Sequence, residues 1–532
     1  MCDKKSDYEI NHVKIPIESD NEDYYLNRIS ILTDIPVQNI SIIKILSKEL
    51  VLKDLNQFYY DFCFVIRVHN KNTDNLQVYL SIYKPAKNTP LKTIKTDSSP
   101  IIIGFGPAGI FAALQMIKYG ISPLIFERGK KIEERVLDVE NFIANGILNP
   151  QSNIQFGEGG AGSFSDGKLF SRRNKNTSIV NQILKTFVKF GAPAEIEFIS
   201  KPHLGTDVIR RIIKNIRLYI LDHGGKIFYN SQMTDLIIKD GQCMGVVINS
   251  DEEFLSSSVF VAIGHSARET VLMMQKKGVN LLQRPINVGV RIEHPVHVIN
   301  MLRYGKKYFV FKKLGAAAYS INYTNRSIKR GVYTFCMCPG GEIVNASSQE
   351  GHLVLNGMSY YARASKFSNS ALVVNCKTDD YKNNNLPGGL EFQKEIERKS
   401  FAAGGENWNA PAENLMHFLQ LTKENTINES SYKMGLTPAC MRDILPPFII
   451  EQLTDAFKKW KSELPLFVSE NALLLGSETR TSSPVKIVRD NNYESTGIKK
   501  LYPIGEGSGY SGGITSSASD GIRAVKTVFL RE

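Results

Sequence analysis

The isoleucine run 101–103 reads as a strand buried on both faces, because no polar residue alternates with the apolar ones. A helix follows, which Gly109 brings close to the strand, Ala113 keeps slim and Gly120 ends; a second apolar strand occupies 124–126. Helical periodicity returns at 206–223 through Val208, Ile212, Ile216 and Ile220, and a Gly-Gly pair stops it before a strand at 226–229. Strands at 235–238 and 244–248 flank the turn Lys239-Asp240-Gly241 and predict a hairpin, and a strand at 259–263 runs into Gly264-His265-Ser266. Between 280 and about 490 the pattern changes. Strand-like pieces at 287–292, 332–337 and 371–376 mix with helices at 390–401 and 448–461, before a strand at 501–504 and a last helix to Val528. Ahead of all this, 25–35 has helical and 39–46 strand character, and 58–68 and 78–83 read as strands. The stretch 84–99, with Pro85, Pro90 and many Lys, Thr and Ser residues, reads as a linker.

The first two strands and their helix carry a dinucleotide fingerprint. Gly104, Gly106 and Gly109 stand in the spacing G-x-G-x-x-G: the first permits a tight turn, the second lets the backbone approach a pyrophosphate, and the third allows close helix–strand packing. Pro107 and Ala108 open the helix whose unpaired N–H groups face the phosphates. Glu127 comes 23 residues after Gly104, where a carboxylate accepts a ribose 2′-hydroxyl; an acid there suits FAD or NAD and suits NADP poorly. The alternative is a plain βαβ crossover with no ligand. The predicted fold class is therefore α/β, an FAD/NAD(P)-binding Rossmann-like domain in two parts, 98–280 and 496–532. Residues 281–495 form an inserted mixed α/β substrate or cap domain, and 1–97 an N-terminal α+β module.

Bulk properties narrow the classes. The chain's 532 residues exceed what one core holds, and 42% apolar content supports globular packing. No run reaches the roughly 18 apolar residues of a membrane span and the N-terminus has no apolar signal core, so a soluble, cytoplasmic protein is expected. The cysteines Cys2, Cys63, Cys243, Cys336, Cys338, Cys376 and Cys440 are odd in number and lack any C-x-x-C, which argues against a disulfide framework or a metal site. Cys336 and Cys338 would share one face of a strand and leave a redox pair conceivable, against the alternative of ordinary packing. A net charge of +12 raises the question of nucleic acid, but the lysines are spread and no arginine-rich or aromatic-interleaved stripe stands out. Oligomeric state leaves no mark in the sequence.

Two further glycine clusters bear on the cofactor. Asn153 to Lys168 reads Asn-Ile-Gln-Phe-Gly-Glu-Gly-Gly-Ala-Gly-Ser-Phe-Ser-Asp-Gly-Lys, a segment that cannot pack a core and must turn sharply or lie against a ligand. Gly159, Gly160, Ala161, Gly162, Ser163 and Gly167 are its candidate contacts; the alternative is a surface lid. The second cluster, Gly505-Glu506-Gly507-Ser508-Gly509-Tyr510-Ser511-Gly512-Gly513-Ile514, contains a literal G-x-G-x-x-G, yet no second strand with an acid follows about twenty residues on. It reads instead as a strand leading into a helix whose positive N-terminus, near Gly513 and Ile514, faces a flavin pyrimidine.

These clusters, with Phe-Cys-Met-Cys-Pro-Gly-Gly-Glu-Ile-Val-Asn-Ala-Ser at 335–347, resemble those of the bacterial "uncharacterised FAD-dependent dehydrogenase" family of NAD(P)/FAD-dependent oxidoreductases. The resemblance covers 100–532 and implies FAD binding and oxidoreductase activity without naming a substrate. The order of helix, strand, hairpin and strand resembles the FAD domain of glutathione-reductase-type flavoproteins. That likeness implies that Gly264 lies near the adenosine half, that Met233 touches adenine, and that Arg128 and Arg135 pair with flavin phosphates, although both arginines also fit solvated helix positions.

A flavin needs a positioned substrate and, often, one nearby acid or base. Glu158, Lys168, His294 and Glu506 are the candidates, with Asp166 and Arg291 beside them, and spacing singles out none. Arg291-Ile292-Glu293-His294-Pro295-Val296-His297 tempts a metal reading that Pro295 and the lack of a third ligand oppose. Arg480 could hold a substrate carboxylate or serve a polar turn. Residues 128–170 hold no cysteine, unlike a disulfide reductase, and with no second nucleotide domain any NAD(P)H would visit transiently. The expected function is hydride transfer between a small organic substrate and flavin N5. The alternatives are a flavin monooxygenase, or an FAD-stabilised protein whose basic N-terminal module binds RNA.

Overall fold

The computed structural model describes residues 7–53, 55, 57–69, 80–84, 93–169, 178–381 and 387–530. Cys2, the start of the strand expected at 78–83 and much of the linker expected at 84–99 lie outside the described residues. The chain is a mixed α/β protein with parallel and antiparallel sheets.

A five-stranded parallel sheet organises the site, in the order Leu501–Pro503, Val259–Val261, Ile101–Ile103, Leu124–Phe126, Lys226–Phe228. The isoleucine run is central because both its faces are covered. Ile102 joins a core with Phe111, Ile212, Ile216, Ile522 and Val525, from the helices Pro107–Lys118, Gly205–Asp222 and Ile514–Phe529. Ile101 and Ile103 join Leu236 and Val246 of the antiparallel sheet formed by Glu252–Leu255, Gln242–Ile248 and Met233–Lys239. Leu501–Pro503 pairs with Val259–Val261, so the sheet combines segments far apart in the chain.

Residues 286–478 build a seven-stranded sheet in the order Asn322–Asn325, Arg330–Cys338, Phe367–Cys376, Ile286–Pro295, Leu473–Glu478, Ala410–Asn414, Leu436–Pro438. All its pairings are antiparallel except the last, and the helices Val296–Tyr308 and Pro447–Glu463 pack on it. The N-terminal module is a four-stranded antiparallel sheet, Ile40–Val51, Tyr59–Val68, Asp7–Pro16, Leu80–Ile82, carrying the helix Glu22–Thr33. It docks through Phe58, stacked on Tyr308 at 4.4 Å, and through Lys48, whose N–H donates to the Phe198 carbonyl. Among the described residues no helix is long and apolar enough to cross a membrane.

The helices Pro107–Lys118 and Ile514–Phe529 touch backbone to backbone, because a Cβ at Gly521 would overlap the carbonyl oxygen of Ala108. Gly521→Ala is expected to cost about 1–3 kcal/mol of stability by forcing these helices apart, read as a lowered midpoint in urea unfolding.

Candidate functional site

Three segments poor in side chains meet at the start of the helix Pro107–Lys118. A Cβ on Gly160 would lie 3.1 Å from Gly106 Cα, and one on Gly162 would lie 3.1 Å from Ile514 Cγ1 and 3.8 Å from Pro107 Cγ. Gly505 closes on Ala108, and Gly507 packs against the carbonyl of Gly264. Among the described residues, a Cβ on Gly264, Gly512 or Gly513 would meet nothing within 4 Å. Gly104, Gly106, Pro107, Gly160, Ala161, Gly162, Gly264, Glu506, Gly512, Gly513 and Ile514 all keep solvent access, whereas Ala108 and Gly109 are buried in the helix contact. Neither N-cap residue, Gly106 or Gly513, has a side chain to cap the helices Pro107–Lys118 and Ile514–Phe529, so both turn first-turn N–H groups and positive dipole ends to the same opening.

Two buried charges shape the glycine loop. Glu127 accepts hydrogen bonds from the N–H groups of Gly129 (2.9 Å) and Gly157 (3.0 Å) at Oε1, and of Phe105 (2.8 Å) at Oε2. It thus ties the fingerprint turn to the loop, and a lone pair on Oε2 remains for a further donor. Arg135 is 0% exposed and donates to the carbonyls of Asn153, Ile154, Gly157, Glu158 and Gly160. The expectation that Arg135 meets flavin phosphates is therefore corrected: its donors are turned onto the loop from behind. Burial lowers its pKa, the nearby charges of Glu127 and Glu158 oppose that, and Arg135 stays a cation at neutral pH.

Gly159 and Gly167 are also enclosed by protein, the first against Ser163 and Ile213, the second against Ile209, Leu204 and Gly205. Ser163 is 0% exposed and its carbonyl accepts from Thr206. These three belong to the loop's packing. The Met233 side chain lies in the core beside Phe126 and Val246, which leaves only its backbone for an adenine contact.

A cavity of about 210 Å³ opens at the carboxyl ends of the strands Leu124–Phe126 and Val259–Val261, lined among others by Arg128, Phe156, Gln232, Ser266, Arg268 and Arg480. That is where ligands of parallel sheets bind. Arg128 lies over the Phe156 ring at 3.9 Å and donates to Gln151 (2.8 Å) and Glu269 (2.5 Å). Arg480 and Arg268 both chelate Glu397, with nitrogen–oxygen distances of 2.7–3.0 Å. Burial would raise the Glu397 pKa, but the two guanidinium charges outweigh it and hold the carboxyl well below its ordinary range. Arg268 and His265 were missed from the sequence; their position just after the strand-end Gly264 was the available signal.

The acid–base candidates separate clearly. Glu158 is buried, accepting from the Ile132 N–H (2.6 Å), Arg217 (2.8 Å) and Tyr229 (2.9 Å), so it anchors the loop and does not face the opening. His294 lies in the seven-stranded sheet, with Nε2 2.8 Å from the Phe467 carbonyl and its ring stacked on Phe467. Lys168 Nζ sits 2.8 Å from Asp166 Oδ2, close in distance though off the hydrogen-bonding axis, and Asp166 is also chelated by Arg363. Only Glu506 stands at the opening, where its carboxylate accepts from the Gly513 N–H at 3.4 Å. His265 lies within electrostatic reach of it, and desolvation pushes its pKa down against the opposing charge of Glu506.

Residues 285–481, the span of the seven-stranded sheet, match the model of the "FAD-dependent protein, C-terminal domain-like" family. An "Uncharacterized protein" of Clostridium beijerinckii is 40% identical over 465 residues, 87% of this chain and 85% of its own length. The chain belongs to this FAD-dependent family. A geranylgeranyl bacteriochlorophyll reductase-like protein from Thermoplasma acidophilum is similar at 11% identity, over 82% of this chain and 78% of its own, with a TM-score of 0.34. L-Amino acid deaminase from Proteus myxofaciens, solved with anthranilate, is similar at 11% identity over 84% and 93%, with a TM-score of 0.33. Both likenesses are too distant to bear on this protein's reaction.

Arg135→Met leaves a row of loop carbonyls unpaired and is expected to cost about 3 kcal/mol or more in chemical denaturation. His294 makes a pH prediction. Burial pushes its pKa down to about 4 from an ordinary 6.5, so the unfolded chain takes up the proton first as pH falls. Its contribution is whole above pH 6.5 and is lost down to about pH 4, by roughly 3 kcal/mol. Stability measured from pH 8 to 4 should show this extra slope in the natural protein and not in His294→Phe.

Proposed function

We propose that this protein is an FAD-dependent oxidoreductase that exchanges a hydride between a small organic substrate and flavin N5. The observation that carries the reading is the meeting of two uncapped helix N-termini and three glycine segments around open space at Gly264, Gly512 and Gly513. Bound FAD supplies a reversible two-electron acceptor. Gly106 and the N–H groups that open the helix Pro107–Lys118 hold its pyrophosphate, and the free lone pair of Glu127 accepts a ribose hydroxyl. The cavity beside Arg128 and Ser266, about 210 Å³, suits one nucleoside end of the cofactor and takes adenosine.

The positive end of the helix Ile514–Phe529 would suit the pyrimidine side of the flavin, where its dipole would favour the negative charge of the reduced ring. Glu506, next to Gly513, is the group that can hold or move a proton at this end. In this arrangement 98–280 and 496–532 bind the nucleotide, 281–495 supply the substrate wall, and 1–97 form a separate module. NAD(P)H, if used, visits from solvent.

Purified protein titrated with FAD should quench flavin fluorescence to saturation, and Gly106→Val, whose branched side chain would crowd Gly160, should weaken binding at least about tenfold with unchanged circular dichroism. Anaerobic bleaching of the bound flavin by one compound in a metabolite panel, without oxygen consumption, supports a dehydrogenase. Bleaching only by NAD(P)H, followed by oxygen-dependent turnover of an aromatic, would move the assignment to a monooxygenase.

A further inference from the structure

The C-x-C segment takes no part in nucleotide binding as argued above, yet the fold carries it to the edge of that site. Cys336 has left-handed backbone (φ 45°), and the pairing with Phe367–Cys376 slips by one residue between Phe335 and Cys338. The alternation expected to put both side chains on one face of a regular strand is therefore broken by a bulge, which bends the strand. Cys338 Sγ is turned back along the chain onto its neighbour, 3.3 Å from the Cys336 carbonyl oxygen. Cys338 is 0% exposed, and Cys336 is half-buried as a residue.

The surroundings are those of a thiolate. Arg291, 0% exposed, directs Nη2 at the Cys336 carbonyl oxygen (3.3 Å) and at Cys338 Sγ (4.0 Å), and its buried Nε has no hydrogen-bond partner among the described residues. Lys168 lies within electrostatic reach of both sulfurs. A Cβ on Gly357 would intrude between Arg291, Asn369 and Cys338 Sγ, so the packing keeps that space for the cation and the sulfur. The neighbouring Cys338 thiol and the charges of Lys168 and Arg291 outweigh burial and hold the Cys336 thiol below its usual range; the Cys336 thiol and burial push Cys338 up. The chain also joins this cluster to the flavin end of the site. Leu169, next to Lys168, gives its carbonyl to Thr515 Oγ1 (2.6 Å) in the first turn of the helix Ile514–Phe529.

We propose that Cys336 and Cys338 are a dithiol–disulfide couple that exchanges an electron pair with the flavin, a second redox centre at the same site. The inference rests on the FAD reading above. In the oxidising direction the Cys336 thiolate and the Cys338 thiol join in one Sγ–Sγ bond. Two electrons and the one thiol proton pass to oxidised flavin, which becomes the anionic reduced form. The reverse step breaks the Sγ–Sγ bond with the same electrons and proton. Lys168 and Arg291 act by holding the thiolate in place.

The test uses the full-length protein with FAD. In the first arm, protein treated with diamide is quenched with N-ethylmaleimide and digested. The peptide containing Cys336 and Cys338 is expected two hydrogens lighter and unlabelled, while Cys336→Ser and Cys338→Ser each leave the remaining cysteine labelled. In the second arm, dithiol-state holoprotein under anaerobic conditions is photoreduced and then titrated with a small disulfide. Reoxidation of the flavin is expected to proceed at least about tenfold slower in either serine variant, with FAD affinity unchanged. Full labelling of both cysteines after diamide overturns the couple. Disulfide formation with equal flavin reoxidation in the serine variants overturns the exchange and leaves the FAD reading standing. Failure of every form to take up FAD, seen by absorbance alone, overturns the FAD reading and with it the exchange.

Discussion

The carbonyl groups of Asn153, Ile154, Gly157, Glu158 and Gly160 turn inward onto one guanidinium, that of Arg135, and this inward turn shapes the loop nearer the opening. A segment so rich in glycine has almost no side chain with which to bury itself, and its backbone polar groups need partners wherever water is excluded. Arg135 supplies a rigid fork of donors from one side and Glu127 accepts the Gly157 N–H from the other. With its carbonyls held behind, the loop presents Gly160, Ala161 and Gly162 to the accessible side, against Gly106 and Ile514.

The same economy runs through the rest of the site. Glu158 is held by Arg217, Tyr229 and a helix N-terminus, Glu397 by two arginines, and Asp166 by Arg363 and Lys168. Each is a charge removed from water and matched at short range, the only condition under which such burial is tolerable. The consequence for chemistry is a narrowing: most polar residues that look reactive in the sequence are committed to architecture. Among the acid–base candidates, Glu506 alone keeps solvent access at the opening.

Two sheets of different character share the work. The parallel sheet, with strand ends at Glu127 and Gly264, aims backbone donors and helix dipoles toward one crevice. The long antiparallel sheet brings Arg291, Cys338 and Glu478 to a wall that meets the end of the glycine loop. A strand bulge at Cys336 lies at that meeting, the kind of irregularity that re-aims side chains beside a functional cleft.

Local spacing was enough to find the fingerprint turn, the long amphipathic helix ending before Gly224, the hairpin around Asp240 and the terminal strand and helix, because period and turn chemistry are properties of neighbouring residues. It also singled out the glycine segments, since no core can be built from them. It misread Arg135, Glu158 and His294, whose roles depend on which carbonyl, carboxylate or ring lies across the fold, and it missed Arg268 and His265. It expected Cys336 and Cys338 to share a strand face; the pairing with a strand more than thirty residues away introduced a bulge that breaks that alternation. Burial and long-range pairing decide where a charge is spent, and neither is written in the spacing of residues along one segment.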